Sequence, residues 1–319
     1  MLKHLCVMFA CCAMLILGTT AKADQPFPKA EPINYLIPFS AGGESDLFAR
    51  AQMPYLEKEL GQKIVISYKI GAGGAVAWSE LARSKPTGYY TVGFNIPHII
   101  LQPLERKDAG YQTNDLRPVM TFHVTPCVLA VSADSPYKAL EELLKAAKEK
   151  PGSVIIGGVG NSTAGHIACV MLNKFSGIQI PYIPFPGTAD LPIALLGKHV
   201  TAIMAFTSGA TQYAKEMRPL AVASETRAPG FENVPTFKEL GFNIVEGSFR
   251  GLAVPKGTPD DIVEVLYKAC AKINKIPEFA KKMTSMGMML IDMDPKESQK
   301  FFDRKVEEYK TILANLKKK

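Results

Sequence analysis

The stretch Ile33–Arg50 reads I-N-Y-L-I-P-F-S-A-G-G-E-S-D-L-F-A-R, and the rest of the chain is organised around it. Ile33 to Phe39 is an apolar run of strand length. It breaks at Ser40-Ala41-Gly42-Gly43, and a helical pattern begins at Ser45 or Asp46, both good N-cap residues, with Leu47, Phe48 and Ala51 following. A strand, a glycine turn and a helix N-terminus together aim backbone N–H groups at an anion. Two glycines also let the backbone approach a ligand closely. The stretch supports two readings: half of a ligand-binding site, or an ordinary strand-to-helix turn with glycines for geometry.

Upstream lies a leader. Lys3 and His4 precede an almost wholly apolar run from Leu5 to Leu17, and Ala21-Lys22-Ala23 is a small-x-small cleavage pattern before Asp24. This is the form of a secretory signal peptide, cleaved after Ala23. Its apolar core is short for a membrane span, and no later stretch is long enough for one. The expectation is an exported, soluble protein. Loss of the leader removes Lys3 and Lys22 and no acidic residue, taking the formal net charge from +7 to +5. Part of that charge is the tail Lys317-Lys318-Lys319, and no basic stripe is interleaved with aromatics, which argues against a nucleic-acid partner. A mildly positive surface suits an anionic small ligand. Three of the six cysteines leave with the leader; Cys127, Cys169 and Cys270 are far apart with no CxxC, so metal binding is poorly supported and buried free thiols are expected.

Residues 24–319 exceed a typical single domain, so two lobes are expected. Strands and helices alternate: strand Ile33–Phe39, helix Asp46–Glu59, strand Ile64–Tyr68, helix Val76–Ser84 and strand Tyr90–Asn95 make a βαβαβ run, the mark of a parallel sheet. A second set starts near Arg117 with the apolar run Val119–Val131, helix Lys138–Lys150 and strand Ser153–Gly157. The loop Gly157–Thr163 then feeds a helix from Ala164 to Phe175. Strand Gln179–Ile183, helix Asp190–Leu196 and strands Val200–Phe206 and Leu220–Ser224 follow. Phe249–Val254 returns the chain to the first lobe, and helices Pro259–Ile273 and Pro295–Leu316 end it. Glycine-rich turns thus open a helix in each half, Ser40–Asp46 and Gly157–Thr163. Ligands of open α/β sheets bind beyond the carboxyl ends of the strands, so two such turns facing one cleft would grip a small anion from both sides.

Catalytic motifs are poorly represented. Gly71-Ala72-Gly73-Gly74 is not G-x-G-x-x-G, and the Gly157 loop lacks G-K-[ST], so neither a dinucleotide cofactor nor a P-loop is indicated. Ser45 or Ser162 with His166 would be the material of an exported hydrolase, but no G-x-S-x-G elbow is present. His98, His123, His166 and His199 show no metal-ligand spacing. His166 either orients the Ser162-Thr163 loop or sits on the helix surface. Asn95 and His98, at the carboxyl end of a strand, face the cleft or lie in a loop without contact. Asp46 would repel an anionic ligand; as an N-cap it would instead accept loop N–H groups and hold the turn.

Taken in order, these pieces resemble the substrate-binding receptors of tripartite tricarboxylate transporters, the Bug family. The resemblance rests on I-P-F-S-A-G-G-E-S-D (37–46), G-A-G-G-A (71–75), K-P-T-G-Y-Y-T (85–91), G-N-S-T-A-G-H-I-A (160–168) and P-Y-I-P-F-P-G (181–187). It continues through A-L-L-G-K-H-V-T-A (194–202), L-A-V-A-S-E-T-R (220–227), V-P-T-F-K-E-L-G (234–241) and F-R-G-L-A-V-P-K-G-T-P (249–259). It implies an α/β fold, a two-lobed type II periplasmic-binding-protein-like clamshell with a central, mostly parallel sheet in each lobe. The expected division is residues 24–122, 123–247 and 248–319, the last returning to the first lobe. It implies a periplasmic receptor, not an enzyme, that needs no cofactor and delivers a small organic carboxylate to a membrane permease, with monomer as the default state. A ligand-presenting co-receptor for a sensor kinase has the same sequence signature. Carried over residue by residue, ligand contacts fall on Phe39, Ser40, Ala41, Gly42, Gly43 and Ser45 from one lobe. Asn161, Ser162 and Thr163 act from the other, and the segment Ala205–Ser208, with Thr207 as a contact, lies near the far end of the ligand; Asp46, His166, Asn95 and Phe249 are in support. Ser40 stands where many members carry a small apolar residue or proline, and Pro186–Asp190 replaces a more glycine-rich turn.

Overall fold

The computed structural model describes residues 26–39, 41–161, 163–185, 188 and 190–316; the leader with Asp24 and Gln25, Ser40, Ser162, Pro186, Gly187, Ala189 and the last three lysines lie outside them. The first half of the chain contains β1 (Ile33–Ile37), α1 (Glu44–Leu60), β2 (Ile64–Tyr68), α2 (Ala75–Ala82), β3 (Tyr90–Ile96), α3 (His98–Glu105) and β4 (Leu116–Ser132). There follow α4 (Leu140–Glu149), β5 (Ile156–Val159), α5 (Ala164–Ser176), β6 (Tyr182–Phe185), α6 (Asp190–Leu196), β7 (Ala202–Phe206), α7 (Thr207–Gln212) and β8 (Met217–Val222). The chain ends with β9 (Gly247–Pro255), α8 (Asp260–Asn274), α9 (Pro277–Ser285), β10 (Met289–Met293) and α10 (Pro295–Leu316).

The strands form one curled sheet in the order β2-β1-β3-β9-β4-β7-β5-β6, with β8 and β10 also on β4. The α/β, two-lobed class holds, but the sheet is mixed rather than mostly parallel. β1 is parallel to β2 and β3, and β5 to β6 and β7, whereas β9 runs antiparallel to both β3 and β4. The 17-residue β4 explains this, because it serves both halves. Leu116–Pro126 pairs with β9, and Cys127–Ser132 pairs with β7 and β8. Leaving one half and returning to it needs an outgoing and an incoming strand side by side, and these are antiparallel.

Helix ends follow local chemistry. α1 stops at Gly61, a left-handed C-cap with φ of 56° that a residue without Cβ adopts freely. α10 carries Phe301, Phe302, Lys305, Tyr309 and Ile312 along one stripe, and all five are buried. In the first half Phe48 stacks on Phe122 at 4.5 Å and on His123 at 4.1 Å. Cys127, Cys169 and Cys270 are buried free thiols. Four elements were not anticipated: α3, α7, α9 and β10. α3 contains Pro103, α7 spans only Thr207–Gln212, and β10 is a Met-bounded run with no β-branched residue but Ile291. Strands β5 and β6 sit about three residues later than their apolar runs suggest. Among the described residues, no helix is long and apolar enough to cross a membrane.

Candidate functional site

The turn after β1 is held by one carboxylate. Asp46 lies in the first turn of α1, whose N-cap is Gly43, so it is not the cap itself. Its Oδ2 accepts the Gly42 N–H at 2.7 Å, and its Oδ1 accepts the Tyr68 hydroxyl at 2.6 Å and pairs with Arg50 Nε at 2.9 Å. Burial pushes the Asp46 carboxyl up, but the Gly42, Tyr68 and Arg50 donors outweigh it and hold it below the ordinary value. Gly42 takes a φ of 81°, a left-handed conformation that strains any residue with Cβ. Ala41, Gly42 and Gly43 are all exposed.

Beyond this turn opens a cleft of about 520 Å³ between the two halves. Its first wall is Phe39 with Gly42–Ser45 and Leu47, joined by Asn95 at the end of β3 and His98 at the start of α3. The opposite wall comes from the start of α6 (Thr188, Leu191, Pro192), the end of β7 (Ile203, Ala205, Phe206) and α7 (Ser208, Gly209, Gln212). Ser248 and Arg250 of β9 form the floor, and Met286 and Met288 close one side.

Ser45 and Asn95 meet at 3.3–3.4 Å, tying α1 to β3. Asn95, Arg250 and His123 form one row across β3, β9 and β4. Arg250 is ion-paired with Glu44, donates Nη1 to Thr125 Oγ1 at 2.9 Å, and keeps its Nε enclosed without an acceptor. Glu44 also accepts the Ser208 hydroxyl at 2.5 Å, a contact from α1 to α7 across the cleft. Burial, and then the Arg250 charge, push the His98 imidazole down to about 4, so it is neutral at neutral pH. The same two causes depress His123, which is fully buried.

The remaining expected residues are placed differently. Thr163 caps α5, accepting the His166 N–H at 3.4 Å and donating to the Val159 carbonyl at 2.6 Å. Asn161 is exposed beside it, and neither lines the cleft. The His166 ring lies 4.7 Å from that of Tyr182, whose hydroxyl donates to the Gly160 carbonyl at 2.8 Å. These contacts brace the loop from behind. Thr207 is buried and donates to the Gly287 carbonyl at 2.6 Å. Phe249 packs on Phe301 at 4.7 Å, on the face of β9 away from the cleft. Successive strand residues alternate faces, so its neighbours Ser248 and Arg250 are the ones that reach the floor. Ser40 and Ser162 lie outside the described residues.

Residues that sequence reasoning passed over are Glu44, Ser248 and Arg250; of the segment Ala205–Ser208 expected near the ligand, Ala205, Phe206 and Ser208 line the cleft. For the two on β9, the two-residue period counted from Phe249 was the available signal; for the Glu44–Arg250 pair, 206 positions apart, there was none.

A cleft walled by strand ends from both halves and spanned by two connecting strands defines a two-lobed solute-binding protein. The family model described as tripartite tricarboxylate transporter family receptor, TctC, matches residues 48–317, and the chain belongs to that family. A Cupriavidus necator relative, the UPF0065 protein in the gbd 5' region, is 32% identical over 298 residues, covering 93% of this chain and 90% of the relative. Among solved structures, a TctC solute binding protein from Polaromonas matches with a TM-score of 0.80 and 31% identity, over 90% of this chain and 99% of that one. The periplasmic binding protein BugD matches at 0.73 with 27% identity, over 90% and 97%. The family and these neighbours are receptors, not enzymes.

Proposed function

We propose that the protein is an exported periplasmic receptor, released from its leader after Ala23, that captures a small organic carboxylate between its lobes and delivers it to a tripartite membrane permease. The observation that carries this is the cleft itself: a turn whose Ala41, Gly42 and Gly43 are exposed, pinned by Asp46, borders a cavity of about 520 Å³ in a chain of this receptor family. One carboxylate of the ligand binds against the Gly42-Gly43 turn, where the Gly43 N–H and the Ser45 hydroxyl replace its water shell while the Gly42 N–H stays on Asp46. The second lobe contributes the α6 and α7 edges, and Asn161 and Thr163 join them as the lobes close. β4 and the chain entering β9 are the two connections about which closure occurs, consistent with a lobe division near residues 122 and 247. Ligand then shifts an open–closed equilibrium, and the closed form is the one the permease reads.

The test is a thermal-shift screen of refolded, ligand-free protein against a carboxylate panel. A ligand at ~100 times its Kd adds about 2.7 kcal/mol. A saturable shift with a carboxylate supports the reading; folded protein that shifts with none of them refutes it.

A further inference from the structure

We infer that the ligand is a carboxylate bearing a single negative charge on a hydrocarbon body, aromatic or medium-chain aliphatic, and that Glu44 excludes di- and tricarboxylates. This rests on the receptor reading above and narrows it, against the polyanion that the family's description suggests. The first ground is charge. Among the described residues lining the cleft, the charged side chains are Glu44 and Arg250, and they are paired with each other. The Arg250 guanidinium is committed to the protein: Nη2 pairs with Glu44, Nη1 donates to Thr125 Oγ1, and Nε is enclosed, so its charge is already matched by the Glu44 carboxylate. His98 brings no charge at neutral pH. The cleft therefore presents no net positive side-chain charge, and its remaining polar groups are neutral ones such as Ser45, Asn95, Ser208 and Ser248. Such groups compensate one carboxylate. A second carboxylate would meet Glu44 across a poorly screened space.

The second ground is surface. Phe39, Leu47, Phe206 and Met286 line the cleft with accessible hydrocarbon, so the body of a bound ligand lies against apolar side chains. A cavity of about 520 Å³ falls in the range that accepts a ring or chain beyond the carboxylate. Citrate, polar over its whole length, would leave those walls unmatched and its extra charges unpaired.

The experiment is isothermal titration of refolded, ligand-free protein with phenylacetate, octanoate, succinate and citrate, repeated on Glu44→Gln. The amide keeps the size of the side chain and an acceptor for Arg250 while removing the charge, and circular dichroism checks that the variant is folded. The expected result is that phenylacetate or octanoate binds at least about tenfold tighter than succinate or citrate. In Glu44→Gln that ratio should shrink by about tenfold, because the repelling charge is gone. Succinate or citrate binding as tightly as both monocarboxylates overturns the inference and leaves the receptor reading standing. An unchanged ratio in folded Glu44→Gln overturns the role of Glu44. No binding of any of the four overturns this inference together with the carboxylate reading.

Discussion

Replacing Asp46 by asparagine should loosen the cleft and the fold together. The side chain is 2% exposed and accepts from three donors: the Gly42 N–H, the Tyr68 hydroxyl and Arg50. Arg50 is itself half-exposed, so its ion pair adds little. The weight falls on the other two. Asparagine keeps one oxygen; if it stays on Tyr68, the new NH₂ confronts the Gly42 N–H, donor against donor. One charge-assisted bond is lost and one N–H is left unmatched, a cost of about 2–3 kcal/mol. For a protein of this size that lowers Tm by roughly 3–5 °C. Because Gly42 belongs to the proposed grip, ligand affinity should fall about tenfold as the turn loses its anchor. The carboxyl is held below its ordinary value of 3.8 in the folded state, so its contribution is present above that pH and is lost as pH falls through the folded value. The gap between Asp46→Asn and the parent should therefore persist from pH 8 down to about pH 4 and close below it. Calorimetric melts of ligand-free protein across that range are the assay. An Asp46→Asn protein melting within about 1 °C of the parent at neutral pH would refute the anchoring argument.

Two other outcomes follow from buried titratable groups. His98 is neutral when folded, with its pKa moved from 6.5 to about 4, so the stability it contributes is complete above 6.5 and is lost as pH falls toward 4. Its share is up to ~3 kcal/mol, and His98→Gln should flatten the fall in Tm over that window, leaving the part due to His123. Lys305 is buried against Glu246 at 3.2 Å, and Glu246 also accepts the Tyr309 hydroxyl at 3.1 Å. Lys305→Met should cost about 3–5 kcal/mol by stranding that carboxylate. Burial already raises the Glu246 carboxyl, and losing the lysine raises it further, so the damage should grow as pH rises from 5 to 8. Adding Glu246→Gln should recover most of it; urea titrations of the single and double variants decide this.

The first turn was legible because its signals are local: an apolar strand, two adjacent glycines and a helix start fall within 18 residues. The kind of work Asp46 does was also readable, although the helix begins at Glu44 and so places it inside the first turn. Asn95 was left open by the sequence, at the cleft or in a loop; it is the last but one residue of β3 and meets Ser45. What stayed hidden depends on partners far along the chain. Ser248 and Arg250 alternate with Phe249, but every residue of β9 is buried, so the alternation alone does not tell which of its faces meets the cleft. The Thr207 hydroxyl turns away from the cleft because the Gly287 carbonyl, 80 residues on, is there to accept it. Glu44, read alone, is an acid in an anion site; only Arg250 and Ser208 make sense of it.

The sharing of β4 by both halves also bears on how the chain acquires its structure. Leu116 is in register with Pro255, so the first half lacks an interior strand until nearly 140 further residues have appeared. Meanwhile the second half can close on the far portion of the same strand. A chain emerging from its N-terminus would thus finish its later half first and hold its earlier one open, with the β3 and β4 edges bare. Such a delay exposes those edges to other chains and favours slow assembly through long-range pairings. The risk of aggregation is therefore concentrated in time, between the emergence of β4 and the arrival of β9.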